Sequence, residues 1–224
     1  MAQDTGWYKE HMQDKAHKPA RALGHQLRSI CVYCGSGAGT NPAFAQAANE
    51  FGRALAENNI GLVFGGGGRG MMGEVARATL GHGGHVIGII PKFLMEAEHA
   101  LADVDELVVT KSMHERKLHM YERSDAFVAL PGGIGTLEEF VEQMTWNQIG
   151  QHDKPLVLAN VQGYWDPLIE LFDHMLRHAF IRPGLEVRYH VIDDIQHVIP
   201  TLARLVAAKA LAGEPEQAVP LEKL

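Results

Sequence analysis

Short apolar runs alternate with stretches of helical periodicity along most of the chain. The runs are Ser29–Cys34, Ile60–Phe64, His85–Ile90, Glu106–Thr110, Ala126–Leu130 and Pro155–Ala159. Their apolar positions are largely consecutive, as expected of strands buried on both faces. Between them the spacing predicts helices from Asn41 to about Asn58, at Met71–Leu80, Met113–Arg123 and Leu137–Gln148, and later at Trp165–Ala179 and Ile195–Leu211. Asn41-Pro42 is a helix start, asparagine as N-cap and proline in the first turn. Phe44, Ala48, Phe51 and Leu55 then fall on one stripe. Strand–helix alternation predicts a parallel sheet covered on both sides. The expected architecture is therefore a single doubly wound, Rossmann-like α/β domain with a mostly parallel central sheet. It would span residues 29–212, between an N-terminal arm (1–28) and a C-terminal tail (213–224).

Such sheets bind ligands at the carboxyl ends of their strands, where the next helix begins. That rule directs attention to four loops. Gly65-Gly-Gly-Gly-Arg-Gly70 matches G-x-G-x-x-G after a strand. The dinucleotide fingerprint also needs an acid at the end of the following strand, where Pro91 and Lys92 stand instead; a P-loop needs Lys-Ser/Thr where Met71 and Met72 stand. A phosphate-cradling role survives on backbone grounds alone, with Gly66 and Gly67 as its candidate contacts. Pro131-Gly-Gly-Ile-Gly-Thr-Leu-Glu-Glu139 is more specific. Gly132, Gly133 and Gly135 clear side chains from the loop, and Thr136 adds a hydroxyl. Thr136 is also an N-cap candidate, and Thr136-x-x-Glu139 has capping-box spacing. Spacing therefore leaves Glu139 equally open to a structural and a catalytic reading. In Ser112-Met-His-Glu-Arg-Lys117, Ser112 and Glu115 form a second capping box. On that helix Met113, Leu118, Met120 and Tyr121 define an apolar arc, with Lys117 near its centre and Arg116 at its edge. A cation so placed either has an anionic partner or snorkels outward. The planar fork of Arg116 suits a phosphate or carboxylate.

Composition narrows the function classes. The chain has 224 residues and a net charge of −7 with no basic block, which argues against nucleic acid as a partner. No apolar stretch is long enough to span a bilayer and no signal-peptide pattern opens the chain, so the expected compartment is the cytoplasm, without a membrane partner. Cys31 and Cys34 form C-x-x-C inside an apolar run, which reads as buried strand packing. No metal-ligand cluster is visible, and neither a metal nor another cofactor is expected.

Together, Met113-His-Glu-Arg-Lys117 and Pro131–Glu139 resemble the Lonely Guy family of cytokinin-activating phosphoribohydrolases. The resemblance runs over about 29–211. It implies hydrolysis of the N-glycosidic bond of nucleoside 5′-monophosphates, giving free base and ribose 5-phosphate. It further implies substrate contacts at Glu98, Arg116, Lys117, Gly133, Ile134, Gly135, Thr136, Leu137, Glu138, Glu139 and Thr145, to which the loop reading adds Gly132. The surroundings of Glu98 depart from the usual pattern, which leaves Glu96 as its alternative. Arg116 and Glu139 are the expected catalytic pair, Glu139 stabilising positive charge on the ribose. Relatives also carry the label lysine decarboxylase, although no pyridoxal-anchoring motif can be argued here. A homodimer is implied as well, and Trp146 and Ile149, opposite the predicted core stripe Leu137, Phe140, Val141 and Met144, suggest its surface. The alternatives are a non-catalytic nucleotide-binding or sensing protein of the same fold, or a partner protein whose glycine loops merely pack.

Overall fold

The computed structural model describes residues 27–181 and 188–212. Seven strands form one sheet: β1 (Ser29–Tyr33), β2 (Gly61–Phe64), β3 (Val86–Pro91), β4 (Glu106–Thr110), β5 (Ala126–Ala129), β6 (Leu156–Ala159) and β7 (His190–Ile192). Their order is β4-β3-β2-β1-β5-β6-β7, and every neighbouring pair is parallel. The order reverses between β1 and β5, so the loops after these two strands open into a crevice. Among the described residues five α-helices connect strands, α1 (Pro42–Glu57), α2 (Gly70–Gly81), α3 (Met113–Glu122), α4 (Ile134–Gln148) and α5 (Asp166–Arg177), and a sixth, α6 (Val198–Ala212), follows β7. The short edge strand β7, with two of its three residues exposed, lacks the apolar run that marked the other six.

Alternating side chains divide the strands between two cores. Ile30, Val32, Leu62, Phe64 and Val128 pack with α1, α2 and α6. Cys31, Tyr33, Val63, Phe127 and Leu158 pack with Met120 of α3, Phe140 and Met144 of α4, and Trp165. Cys31 and Cys34 thus lie in different cores, as free buried thiols. Burial pushes both thiols well above the ordinary cysteine range. Leu27 is already a core residue, so the packed domain includes it; the rest of the expected arm up to residue 26, and the tail from 213, lie outside the described residues.

The helices that carry the candidate site are fastened at their far ends by the chain before β6. Lys154 Nζ donates to the Tyr121 carbonyl at 2.6 Å and lies 3.8 Å from the Tyr121 ring centroid. The Lys154 amide donates to His152 Nδ1 at 3.1 Å. The other ring nitrogen therefore carries the proton and donates to the Gln143 carbonyl at 3.1 Å. Burial pulls His152 down to about 4 and Lys154 down to about 8.

Two amphipathic expectations need correction. Leu118 is exposed, while Arg116 and Lys117 are buried at 5% and 8% relative exposure; α3 turns its cations, not that leucine, inward. On α4 the buried residues are Thr136, Phe140, Gln143 and Met144, with Leu137 and Val141 only half-buried at the margin. Trp146 meets the Tyr121 ring edge-on at 5.5 Å, so part of its face is covered within the chain.

Both thiols should resist an aromatic disulfide reagent at pH 8 in the native protein and react stoichiometrically in denaturant. Rapid labelling under native conditions would contradict the burial of Cys31 and Cys34.

Candidate active site

The β5–α4 loop is held from two directions. Gly35 N–H donates to the Pro131 carbonyl at 3.1 Å, stitching the β1 and β5 loops together. The Tyr164 hydroxyl donates to the Gly132 carbonyl from the turn after β6. Gly133 is the N-cap of α4, and no side chain caps that end. Thr136 is therefore inside the first turn, where Leu137 N–H donates to the Gly133 carbonyl at 3.1 Å. This corrects the expected Thr136 N-cap and removes the Thr136–Glu139 capping box. Cβ atoms added at Gly133 or Gly135 would meet nothing within 4 Å. The exposed backbone of this first turn faces open space, and Ile134 beside it is 81% exposed. A helix N-terminus with this geometry attracts anions.

The second glycine loop is organised differently. Met71 and Met72 N–H, in the first turn of α2, donate to the Gly37 and Gly35 carbonyls at 3.4 and 3.3 Å. Gly70, at φ +53°, makes this approach possible, because a Cβ there would collide with the Ser36 carbonyl. Gly68 N–H donates to the carbonyls of Glu98 and His99, Leu101 N–H donates to Gly66, and Gly67 pairs with Ala100 in an antiparallel bridge. The loop that sequence offered as a phosphate cradle thus directs these hydrogen bonds to its own chain. Gly66 and Gly67 meet the 92–101 segment there and hold Glu98 over the crevice.

Arg116 is the centre of the site. Its Nη2 donates to the Gly65 carbonyl at 3.2 Å and lies 3.9 Å from Glu139 Oε1 and 4.0 Å from Glu98 Oε2. Glu98 Oε2 and Arg116 Nε are buried without a hydrogen-bond partner. Glu96 is exposed, so Glu98 is the acid of this segment that meets Arg116. Burial pushes the Glu139 carboxyl up to about 7; Arg116 opposes the shift, while Glu138 and Glu98 add to it.

Lys117 points to different partners, at 2.7 Å from Glu138 and 2.8 Å from Glu142. Burial alone would lower its pKa, but the hydrogen bonds to both carboxylates outweigh that effect and raise it. Lys117 and Glu138 thus bind each other, fastening α3 to α4. Ser112 Oγ accepts Glu115 N–H at 3.2 Å, and Glu115 reaches back to Lys111 N–H at 2.7 Å, giving the expected structural role. Thr145 is exposed and bonds to the Val141 carbonyl. It lies about 16 Å along α4 from Ile134, so one chain does not gather it with the other candidates. Sequence reasoning missed Tyr164 and the part played by Gly65; their partners lie 32 and 51 residues away, with no local spacing to announce them.

Fold and site together define an α/β protein with an uncapped helix start beside a buried arginine–carboxylate cluster. The comparisons agree with that class. A family model described as "Possible lysine decarboxylase" matches residues 72–202. A "Probable cytokinin riboside 5′-monophosphate phosphoribohydrolase" of Oryza sativa subsp. japonica is 50% identical over 153 residues, 68% of this chain and 69% of the relative. A cytokinin riboside 5′-monophosphate phosphoribohydrolase of Arabidopsis thaliana is 48% identical over 158 residues, 70% of this chain and 74% of the relative. The chain belongs to the Lonely Guy family. A molybdenum-cofactor carrier protein of Chlamydomonas reinhardtii shares the fold, with a TM-score of 0.61 at 24% identity over 82% of this chain and 100% of that one.

The decarboxylase description does not fit Lys117, the lysine buried beside this cluster. A pyridoxal aldimine needs an accessible, deprotonated amine. Lys117 is buried between two carboxylates that hold it protonated.

The Glu139 environment makes a signed stability prediction. Its carboxyl binds a proton more tightly in the folded than in the unfolded state, so ionisation opposes folding. Wild-type stability should fall as pH rises from about 4.5 to 7, by at most about 3 kcal/mol from this group. Glu139→Gln should therefore be more stable than wild type at pH 8, with the advantage vanishing near pH 4.5. Denaturant titrations at the two pH values measure this; an equal difference at both would exclude the buried-carboxyl origin.

Proposed function

We propose that this chain hydrolyses the N-glycosidic bond of purine or cytokinin nucleoside 5′-monophosphates to free base and ribose 5-phosphate. One observation carries the reading: a buried Arg116–Glu139 pair stands beside an α4 start that has no side-chain cap. The related enzymes named above act on cytokinin riboside 5′-monophosphates. In the proposed complex the phosphate sits on the first turn of α4, from Gly132 to Thr136, with Ile134 and Leu137 bordering it. Anchoring the phosphate fixes the sugar relative to Glu139.

Departure of the base leaves positive charge on C1′ and the ring oxygen. Ionised Glu139 stabilises that charge and accepts a proton from the attacking water, a task suited to a carboxylate poised near neutrality. Arg116 orients Glu139, and Glu98 offers an unpaired oxygen to a ribose hydroxyl. Water supplies the new C1′–OH, the departing base takes up one proton from solvent, and Glu139 releases to solvent the one it accepted, so that water is divided between the two products. No step calls on a metal or a cofactor.

We also propose a cytoplasmic homodimer. Leu118, Ile134 and Ile149 leave apolar surface along α3 and α4. A second copy would cover it and bring the resemblance-implied contact Thr145 toward a substrate.

AMP should yield adenine and ribose 5-phosphate, whereas adenosine, lacking the anchor, should react at least about 10²-fold more slowly. Chromatography of released bases decides this, and equal rates would remove the phosphate anchor from the reading. Turnover should rise as Glu139 ionises through about pH 7. Light scattering should give twice the chain mass, and Ile149→Asp should lower it; a monomeric wild type would overturn the dimer.

A further inference from the structure

The Gly65–Gly70 loop holds a glycine whose bareness faces Arg116. We infer that Gly65 is a positioning residue: its missing side chain and its carbonyl together seat Arg116 beside, but not hydrogen-bonded to, Glu139 and Glu98. The inference rests on the proposed hydrolase reading, in which Arg116 and Glu139 act together, and assigns a new role to the loop.

The geometry is specific. A Cβ on Gly65 would fall on Arg116 Nη2 and lie 3.3 Å from Met72 Sδ. The Arg116 guanidinium is the far end of its side chain, so it is the group that would have to shift, and it would do so inside a buried cluster, away from its present place beside Glu139 and Glu98. The same Nη2 donates to the Gly65 carbonyl at 3.2 Å, while both carboxylate oxygens stay at 3.9 and 4.0 Å, beyond hydrogen-bond reach. Arg116 Nη1 is 3.9 Å from Met113 Sδ, a weak acceptor. A neutral carbonyl therefore holds the arginine in place. Without it, the guanidinium could close on either carboxylate and form a full salt bridge, removing the acid's free lone pairs from a substrate. Gly65 has no left-handed φ, so the glycine is required here by proximity to Arg116 rather than by backbone conformation.

A double-mutant cycle tests this. Gly65→Ala, Arg116→Ala and the double variant are compared by AMP turnover and by thermal melting. If Gly65 acts through Arg116, Gly65→Ala should lower kcat by about 10²-fold, the scale of an ångström-level misplacement. It should also lower Tm and displace the pH limb assigned to Glu139. In the Arg116→Ala background the collision is gone, so adding Gly65→Ala should change neither kcat nor Tm further. Additive losses in both backgrounds would show that Gly65 serves the loop alone and would overturn the inference. An unchanged kcat and pH limb in Gly65→Ala would overturn it too. The melting cycle needs no turnover. Should the wild type fail to cleave any nucleotide, the hydrolase reading falls, while Tm coupling still reports whether Gly65 seats Arg116.

Discussion

A guanidinium removed from water is the constraint around which the rest of this molecule is arranged. Arg116 is 5% exposed, and desolvating a charge costs several kcal/mol unless charge and hydrogen bonds offset it. Two carboxylates on different segments supply opposite charge, and one backbone carbonyl supplies the hydrogen bond. Each partner depends on a separate piece of architecture. Glu139 needs α4 to begin at Gly133, Glu98 needs the 92–101 segment laid on the glycine loop, and Gly65 must end β2 within reach of α3. Around them Lys117 joins α3 to α4 near the crevice, while Lys154 and His152 tie both helices at the opposite rim. Two fastenings per helix leave Arg116 and Glu139 little freedom to drift.

The two glycine-rich loops look alike in composition and behave as opposites. Hydrogen-bond accounting separates them: the start of α2 is closed by carbonyls of the β1 loop, whereas that of α4 meets open space. An added anion would have to displace backbone acceptors already in place at the start of α2, whereas the first turn of α4 has no such competitor on its open side.

Much of the architecture was legible because its causes are local. Continuous apolar runs marked six strands, and Asn41-Pro42 marked the start of α1, where Asn41 caps Ala43 N–H. The Arg116–Glu139 neighbourhood was legible through motif resemblance and the inward position of Arg116. What escaped were relations between distant segments. Strand β7 forms at an exposed edge without an apolar run. Thr136 looked like a cap because threonine favours that position, but Gly133 in extended geometry starts α4 three residues earlier. The hydrogen bonding of Gly66, Gly67 and Gly68 could not be foreseen without the segment that crosses them, and Lys117 was ambiguous until α4 brought it two acids.

That crossing segment joins the glycine loop through main-chain atoms: Gly68 N–H to the Glu98 and His99 carbonyls, and Leu101 N–H to the Gly66 carbonyl. Peptide groups are common to all residue types, so these attachments place little demand on which side chains the segment carries. Substitutions at Phe93 or Glu96, both solvent-facing, would leave its anchorage intact, whereas His99, at φ +48°, is held by its backbone conformation as well. The fold thereby separates the side chains at the rim of the crevice from the packing that keeps the sheet together. Exchanges of exposed side chains along this segment therefore leave Arg116, Glu139 and the two cores untouched.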